Sequence, residues 1–266
     1  MTKGSREWLP ASAVITGGAS GIGLAIAKLL AGQGVRVMLA DLPGDRLAAA
    51  AASIPGALAQ PCDVSDPAQV EALADAAFEH LGTVELLLNN AGVGGPRGKL
   101  WEVDPAEARR HFDINFWGAW HGCRAFAPRM IAQDVPSAIY NTGSENSFFC
   151  AVPHTAAYIA AKHAVLGMTE SLREDLPAHV HAGLVIPGWV FTPLGDPQVM
   201  RHGMDVDAYA AIVVPQLLAR RRFVVSHRSN VKRIHERIDE LRESYAGFGI
   251  DDDMDVRDVI ARLRGG

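Results

Sequence analysis

The sequence predicts an α/β fold: one doubly wound parallel sheet of about seven strands with helices on both faces. Short apolar runs alternate with longer amphipathic segments, which is the pattern of successive βαβ units. A glycine-rich segment directly follows the first apolar run. The 266 residues, 48% of them hydrophobic, can form one buried core without a dividing repeat or linker. We expect a single domain over 1–266, with a core at about 11–226 and a helical C-terminal extension at 227–266.

The first half of the chain alternates four predicted strands with three predicted helices. The strands are expected at Ala13–Thr16, Val35–Ala40, Ala57–Cys62 and Val84–Asn89. The helices are expected at Ile22–Gly32, at Arg46–Ala52 and from Asp66–Pro67 to about His80. Proline suits the first position of the third helix, because no amide hydrogen is needed there.

The second half continues the alternation and then becomes less regular. A long helix is expected at Pro105–Ala132, interrupted or ended near Pro128. The next elements expected are strand Ala138–Thr142, helix Ala156–Leu176, strand Val180–Ile186 and strand Phe223–Ser226. Pro, Gly and Met in Phe191–Val206 indicate a mobile loop over the site, and the charged run Ser229–Tyr245 indicates a final helix.

Composition excludes several classes of function. A net charge of −5 argues against a nucleic-acid partner, since binding to phosphates needs a basic surface. No run approaches the roughly 20 apolar residues of a membrane helix, and the polar N-terminus lacks the core of a signal peptide. The three cysteines, Cys62, Cys123 and Cys150, are an odd number and lack CxxC spacing. The histidines lack metal-ligand spacing. We therefore expect a reduced cytoplasmic protein without a metal site.

A phosphate-binding turn is predicted at Thr16–Gly23, with the sequence Thr-Gly-Gly-Ala-Ser-Gly-Ile-Gly. Glycines let the backbone turn tightly and approach a pyrophosphate, whose charge the following helix N-terminus favours. No Lys-Ser/Thr pair follows, so a nucleotide triphosphatase loop is not indicated. By itself the run is also compatible with a structural turn that binds nothing.

Asp41, at the end of the second predicted strand, points to the choice of dinucleotide. It lies 18 residues past Gly23, near the distance at which an acid meets the adenosine ribose. A carboxylate there accepts hydrogen bonds from both ribose hydroxyls and repels a 2′-phosphate, so NAD is preferred over NADP. Arg46 would weaken this preference if it folded back. Asp63 and Val64 are candidates for bracketing the adenine, although Asp63 could equally cap a turn.

Tyr158 and Lys162 are spaced i, i+4 at the start of a predicted helix and therefore share one face. An unperturbed tyrosine has a pKa of about 10, too high for an efficient acid or base at neutral pH. A nearby ammonium would lower that pKa by stabilising the phenolate. The pair alone is weak support, because Tyr–Lys pairs on solvated helix faces are common.

Several motifs in one order strongly resemble the short-chain dehydrogenase/reductase family from about residue 11 to 226. They are the glycine turn, Asn89-Asn90-Ala91-Gly92, Asn115, Ser144, Tyr158-x-x-x-Lys162 and Pro187-Gly188. The resemblance implies a single-domain Rossmann fold and an NAD(H)-dependent enzyme that interconverts a secondary alcohol and its ketone. It also makes Tyr158 the general acid and base, with Lys162 holding the nicotinamide ribose. Ser144 would bond the substrate oxygen, and Asn115 would hold a water leading to Lys162.

The resemblance also implies which residues bind the cofactor. They are Gly17, Ser20, Gly21, Ile22, Gly23, Asp41, Asp63, Val64, Asn90, Ala91, Gly92, Tyr158, Lys162, Pro187, Gly188, Val190 and Thr192. Asn89 is expected to brace the sheet instead.

The catalytic serine departs from the family pattern. Ser144 lies 158 − 144 = 14 residues before Tyr158, one more than is usual, and Glu145 occupies the usual position. Either the loop carries one extra residue or Ser147 supplies the hydroxyl. Asn141-Thr142-Gly143-Ser144 matches the segment that leads to the serine, so we favour Ser144. A serine-hydrolase role for Ser144 lacks the Gly-x-Ser-x-Gly elbow.

The expected substrate pocket is apolar. Substrate contacts are assigned to Ser144, Phe149, Tyr158, Trp189 and Phe191, which suits a hydrophobic or aromatic alcohol or ketone. The helical tail and the 142–147 loop resemble a subgroup that includes aryl-ether Cα-dehydrogenases, which oxidise benzylic alcohols. Sterol, terpene alcohol and acyl-ketone substrates stay open, as does the direction of reaction.

Two further expectations concern partners and an alternative role. In the family, the long helix and the Ala156–Leu176 helix form a four-helix interface, so a homodimer or homotetramer is expected. Apolar Trp117 and Trp120 suit core or interface packing. The alternative to an enzyme is a regulator or scaffold that binds NAD without turnover, although such a protein has no need of Tyr158, Lys162 and Asn115 together.

Overall fold

Seven parallel strands form one sheet in the computed structural model, which describes residues 8–194, 197–248 and 255–264. The strand order is β3-β2-β1-β4-β5-β6-β7, so the chain winds outward in both directions from β1 and β4. The strands are β1 Ser12–Thr16, β2 Arg36–Asp41, β3 Leu58–Pro61, β4 Leu86–Asn89, β5 Ser137–Thr142, β6 Val180–Ile186 and β7 Phe223–Val225. The predicted doubly wound Rossmann sheet is thereby confirmed.

The helices lie between the strands and beyond the last of them. They are α1 Gly21–Gly32, α2 Asp45–Ala52, α3 Pro67–Leu81, α4 Pro105–Phe112, α5 Gly118–Ala132, α6 Ala156–Asp175, α7 Pro197–Met200, α8 Val206–Leu218, α9 Val231–Phe248 and α10 Val256–Arg264. Asp66 caps α3 through its side chain, which accepts a hydrogen bond from the Ala68 amide.

Alternate residues of each strand point to opposite faces of the sheet. Helices bury both of these faces. On one face, Ile15 packs in a cluster with residues of α1 and α8, including Leu30 and Val213. On the other face, Val14 packs with residues of α3 and α5, including Phe126. The sheet is therefore the middle layer of three, and its ends are left to form a site.

The long helix predicted at Pro105–Ala132 is instead two α-helices joined by one π-helical turn, Asp113–Trp117. The expected interruption near Pro128 is wrong: Pro128 lies inside α5, exposed to solvent that can bond the carbonyl its missing amide leaves free. The break falls at Asn115, whose side-chain amide donates to the His111 carbonyl at 3.1 Å. That side-chain bond competes with the ordinary i to i−4 backbone bond and accounts for the wider turn.

The segment predicted as a mobile loop, Phe191–Val206, has more order than expected. It contains α7, and Phe191 and Trp189 exchange backbone hydrogen bonds with Met204 at 2.8 Å each. Val206 already begins α8, which the prediction missed because its apolar residues run around the helix rather than along one stripe. Residues 195 and 196 of the predicted loop lie outside the described residues.

The described chain groups into two units that divide between residues 227 and 228. The second unit contains α9 and α10. None of the α9 side chains is buried, and its charged residues include an ion pair between Arg242 and Asp239 at 3.4 Å.

A buried polar chain joins β4, β5 and α6 near the carboxyl ends of the strands. Asn89 donates to Asn141 at 2.8 Å, and Asn141 donates to Thr169 at 3.0 Å. Gly122 allows α5 to approach this chain, because a Cβ atom there would lie 2.0 Å from the Asn89 side-chain oxygen. The geometry matches the bracing role expected of Asn89.

We predict that Gly122→Ala destabilises the protein by roughly 1–3 kcal/mol, since the added methyl group overpacks a rigid polar contact. Urea unfolding followed by circular dichroism measures the change. The matched control is Gly32→Ala, where an added Cβ meets nothing within 4 Å in the last turn of α1. That control should gain up to about 1 kcal/mol. Equal stability of the two variants would contradict the packing described for α5.

Candidate active site

The candidate site lies at the carboxyl ends of the strands, where the loops after β1, β4, β5 and β6 meet. In a doubly wound sheet, ligands bind at this edge, next to the position where the strand order reverses. Here the reversal falls between β1 and β4. The glycine turn follows β1 and the Asn90–Gly92 segment follows β4.

The glycine turn folds in a way that side chains would block. Gly17 and Gly21 have φ of +64° and +53°, a conformation that glycine adopts without strain. A Cβ at Gly17 would lie 2.8 Å from Ala91 Cα, and one at Gly23 would lie 2.4 Å from the Gly17 oxygen. These two glycines are therefore required by close backbone approach.

Thr16 holds the glycine turn against the end of β4. Its hydroxyl oxygen accepts hydrogen bonds from the amides of Asn90, at 2.9 Å, and Ala91, at 3.1 Å. The Asn90 side-chain amide donates back to the Thr16 carbonyl at 3.1 Å. The predicted Asn-Asn-Ala-Gly motif thus positions the turn, and sequence reasoning missed the part of Thr16.

The start of α1 suits a pyrophosphate. Ser20 is the residue at the N-cap, yet its side chain makes no capping hydrogen bond, and the first turn carries no acidic residue. The first amides of a helix need partners from outside it, and the helix dipole favours an anion there. A dinucleotide therefore fits the residues present.

Asp41 ends β2 beside this turn. One carboxylate oxygen accepts from the Ala19 amide at 3.0 Å, and the other accepts from the Leu42 amide at 2.9 Å. The Arg46 guanidinium lies 3.4 Å from the second oxygen and is 63% exposed, so the predicted approach of Arg46 does occur. The carboxylate is fixed by backbone amides, while the arginine is free to move in solvent.

Asp63 and Val64 make contacts within the fold. The sequence alone could not distinguish such contacts from contacts with an adenine. The Asp63 carboxylate accepts from the Ser65 amide at 3.0 Å and the Ser65 hydroxyl at 2.7 Å, which is the turn-capping alternative. Val64 is buried, and its side chain would meet a Cβ at Gly118 at 2.7 Å.

Ser144 and Ser147 have different partners. The Ser144 side chain shares a hydrogen bond with Tyr158 and accepts one from the Asn146 amide at 3.1 Å. The Ser147 hydroxyl donates to the Lys162 carbonyl at 2.7 Å and accepts from the Ser144 amide at 3.2 Å. Ser144 thus faces the tyrosine, whereas Ser147 ties the loop to α6.

Tyr158 and Lys162 share the inner face of α6, with the Lys162 Nζ 5.7 Å from the centre of the tyrosine ring. The ammonium donates to the Thr142 carbonyl at 2.8 Å, and burial lowers the pKa of Lys162 to about 8. Burial raises the pKa of Tyr158, and the hydrogen bond with Ser144 acts in the opposite direction. This differs from the lowered tyrosine pKa that we expected, because desolvation by burial is the largest effect on the phenol.

Asn115, in the π-helical turn, is buried and bonded on three sides. Its side-chain amide lies 3.2 Å from the Val93 carbonyl and 3.1 Å from the His111 ring nitrogen Nδ1. Its side-chain oxygen would lie 2.8 Å from a Cβ at Gly92. Asn115 therefore links the π-helical turn to the loop after β4.

Comparison with known proteins now places this geometry. The sequence model described as short chain dehydrogenase matches residues 11–201. The chain belongs to the short-chain dehydrogenase family. The resemblance drawn from the motifs is therefore confirmed.

Individual members of the family resemble the chain over most of its length. The 1-deoxy-11-beta-hydroxypentalenate dehydrogenase of Streptomyces avermitilis is 44% identical over 70% of each chain. A short-chain dehydrogenase/reductase from Burkholderia phymatum, solved in complex with NAD, has a TM-score of 0.83 at 29% identity, covering 95% of this chain and all of that one. LigO of Sphingobium sp. strain SYK-6, solved in its apo form, has a TM-score of 0.82 at 27% identity over 98% of each chain.

The family's loop after β6 crosses the site. A Cβ at Gly21 would lie 3.4 Å from the Thr192 side chain, and a Cβ at Gly94 would lie 2.8 Å from the Leu194 carbonyl. Val190 is buried and pairs with Met204. The segment from Val190 to Leu194, which we call the lid, therefore contacts both the glycine turn and the loop after β4.

Gly188 is enclosed by two side chains that sequence reasoning did not assign to the site. A Cβ there would lie 2.5 Å from Nδ1 of His227 and 3.0 Å from a Glu145 carboxylate oxygen. The Glu145 amide donates to the Pro187 carbonyl at 3.1 Å. The Pro187-Gly188 motif is thus hydrogen-bonded to Glu145. The only sequence signal for this contact was the glutamate itself, which stands at the position where the family usually has its serine.

The predicted substrate residues differ in exposure, and Ser144 is buried. Trp189 and Phe191 are 49% and 46% exposed, and Phe149 is partly buried. Across the described residues, no group of histidine, cysteine and acidic side chains could hold a metal ion. No described helix is long and apolar enough to cross a membrane.

Proposed function

We propose that this short-chain dehydrogenase interconverts a secondary alcohol and its ketone with NAD(H). The observation that carries the proposal is the grouping of Ser144, Tyr158 and Lys162. The group lies at the same carboxyl edge of the sheet as the glycine turn. The resemblance to named dehydrogenases and to a family member solved with NAD supports the same reaction class.

Tyr158 is the proton-transfer group of the proposed mechanism. Its hydroxyl gives a proton to the carbonyl oxygen during reduction and takes one from the alcohol during oxidation. Ser144, which is hydrogen-bonded to it, holds the same substrate oxygen and stabilises the charge that develops there. A raised tyrosine pKa keeps the hydroxyl protonated at neutral pH, which is the form that gives a proton during reduction.

Lys162 supplies a buried charge behind the tyrosine. Its bond to the Thr142 carbonyl fixes the ammonium 5.7 Å from the phenol ring. One of its remaining N–H groups is available for a ribose hydroxyl, so the same residue can position the cofactor. Asn115 would hold a water that leads protons toward Lys162.

The bound cofactor would supply or accept the hydride. Three parts of the chain would form its binding site. The first amides of α1 would receive the pyrophosphate, and Asp41 the adenosine ribose. The loops after β4 and β6 would hold the nicotinamide end.

The proposed substrate is hydrophobic or aromatic, including benzylic alcohols. Trp189 and Phe191 expose apolar surface on the loop after β6, and such residues bind apolar ligands by removing their surface from water. A relative is named as a dehydrogenase of 1-deoxy-11-beta-hydroxypentalenate, and a terpene alcohol, which the sequence left open, is the second candidate.

We extend the proposal to a homodimer or homotetramer. Trp117 and Trp120 are 41% and 43% exposed and pack on each other and on Phe116, forming an aromatic patch beside the π-helical turn. Exposed apolar patches of this kind commonly mark contact surfaces between proteins.

We predict that Tyr158→Phe lowers kcat by about 10²–10⁴-fold, because the proton donor is lost, while NADH binding stays near the wild-type affinity. Absorbance of the reduced cofactor measures turnover over a panel of benzylic and terpene alcohols and their ketones. Tyr209→Phe is the matched control, because its buried hydroxyl has no partner among the described residues. Unchanged turnover in Tyr158→Phe would sink the mechanism and leave an NAD-binding regulator.

Separate substitutions distinguish the two serines. Ser144→Ala should lower kcat by about 10²–10³-fold, as loss of one oxyanion donor does. Ser147→Ala should instead lower the free energy of unfolding by about 1 kcal/mol, because its bond to the Lys162 carbonyl is lost. The reverse pattern would assign the hydroxyl to Ser147.

Asp41→Asn tests the choice of cofactor, since it removes the charge and keeps an acceptor for the Ala19 amide. We expect the preference for NADH over NADPH to fall by about tenfold or more, because about 1.4 kcal/mol of repulsion corresponds to tenfold. Cofactor fluorescence gives both dissociation constants. Adding Arg46→Ala should reverse part of any gain in NADPH binding. Equal affinity of the wild-type protein for both cofactors would show that Asp41 does not contact the ribose.

A further inference from the structure

His111 is a buried titratable residue that the proposed mechanism does not use. It lies near the end of α4, only 3% exposed, and packs beside the catalytic tyrosine with the two ring centres 5.9 Å apart. The backbone of Gly95 separates the rings: a Cβ there would lie 3.2 Å from His111 Cε1 and 3.3 Å from Tyr158 Cβ.

The contacts of Asn115 determine the tautomer of this histidine. The Asn115 side-chain nitrogen lies within hydrogen-bond distance of two backbone carbonyls, those of Val93 and His111. Carbonyl oxygens only accept, so this atom is the amide NH2 and not the oxygen. Its two hydrogens are shared between these carbonyls and a third contact, His111 Nδ1 at 3.1 Å, which can bond an NH2 group only as an acceptor. His111 is therefore neutral, with its hydrogen on Nε2.

The surroundings favour this neutral form. Burial and the positive charge of Lys162 together lower the pKa of His111 from 6.5 to about 4, and the Gly94 backbone acts in the opposite direction. Lys162 and Tyr158, both on α6, are the titratable side chains that the described structure places against it.

A stability role alone does not explain a histidine at this position. No described residue meets the buried Nε2 atom in good hydrogen-bond geometry, although the Gly94 backbone lies close enough to act on the ring, and a poorly paired buried donor costs free energy. An apolar ring would fill the same space without that cost. The contact that offsets it is the one that Nδ1 makes with Asn115.

We propose that His111 is a positioning residue, whose Nδ1 lone pair orients Asn115 and whose ring supports Tyr158. Through Asn115, the histidine also reaches Gly92, where the asparagine oxygen faces the loop after β4. One side chain thus sets two members of the active site. The proposal rests on the function proposed above, because it assigns His111 no contact with substrate or cofactor.

Two variants separate the acceptor from the ring. His111→Phe keeps an aromatic ring beside Gly95 but removes the acceptor, and His111→Asn places an oxygen acceptor near the position of Nδ1. We expect His111→Phe to lower kcat by about tenfold to a hundredfold, the scale of a small misplacement, with NADH affinity near wild type. His111→Asn should recover most of kcat although it leaves a cavity. A purely structural histidine would show the reverse order, because His111→Phe would be the better-packed and more active variant.

A second measurement does not depend on turnover. In protein labelled with ¹⁵N-histidine, the signals lost in His111→Phe identify this ring, and their shifts report its tautomer. We expect hydrogen on Nε2 only, and proton uptake near pH 4. Because the unfolded chain binds a proton near pH 6.5, the wild-type protein should lose stability as pH falls from about 6.5 to about 4, and His111→Phe should lose less.

The outcomes distinguish failure of this inference from failure of the proposed function. Hydrogen on Nδ1, or titration near pH 6.5 in the folded protein, would overturn the role of His111 whatever the enzyme does. Absence of turnover in the wild-type protein, with the expected tautomer observed, would overturn the alcohol–ketone reaction and leave the His111–Asn115 contact intact.

Discussion

The hydrogen-bonded chain from Asn89 through Asn141 to Thr169 is the constraint on which the active-site geometry depends. It joins the ends of two neighbouring strands to α6, the helix that carries the proposed catalytic pair. Buried amides are costly unless satisfied, so this chain tolerates few alternative arrangements of the three elements. Gly122 then allows α5 to close over it. Tyr158 is therefore positioned by contacts far beneath the surface that substrate would reach.

Hydrogen bonds between loops also fix the side of the site that is proposed to bind the cofactor. The Thr16 hydroxyl accepts a hydrogen bond from the Asn90 backbone amide, just after β4. The Asn90 side-chain amide donates to the Thr16 carbonyl in return. Asp41 is fixed to the turn through the Ala19 amide. The groups proposed to bind a dinucleotide are thus already held by one another, which reduces the conformational freedom that binding would have to remove.

Most of the fold follows from the sequence because alternating apolar runs and glycine positions are local signals. Strand Val180–Ile186 has the predicted bounds, and Asp66 caps α3 as expected. The local contact between Asn115 and His111 is supplemented by contacts with other segments, through Val93 and Tyr158, and no local pattern encodes those. The two serines illustrate the same limit, because spacing could not decide between residues three apart, whereas their hydrogen-bond partners differ.

The lid has a consequence for the order of events in a catalytic cycle. Thr192 meets the glycine turn, while Leu194 meets the loop after β4, so one short segment spans the places proposed for both ligands. A movement that admits the dinucleotide would also disturb the wall of the substrate pocket. On the proposed function, entry of the cofactor and closure of the substrate pocket would therefore be coupled through this one segment.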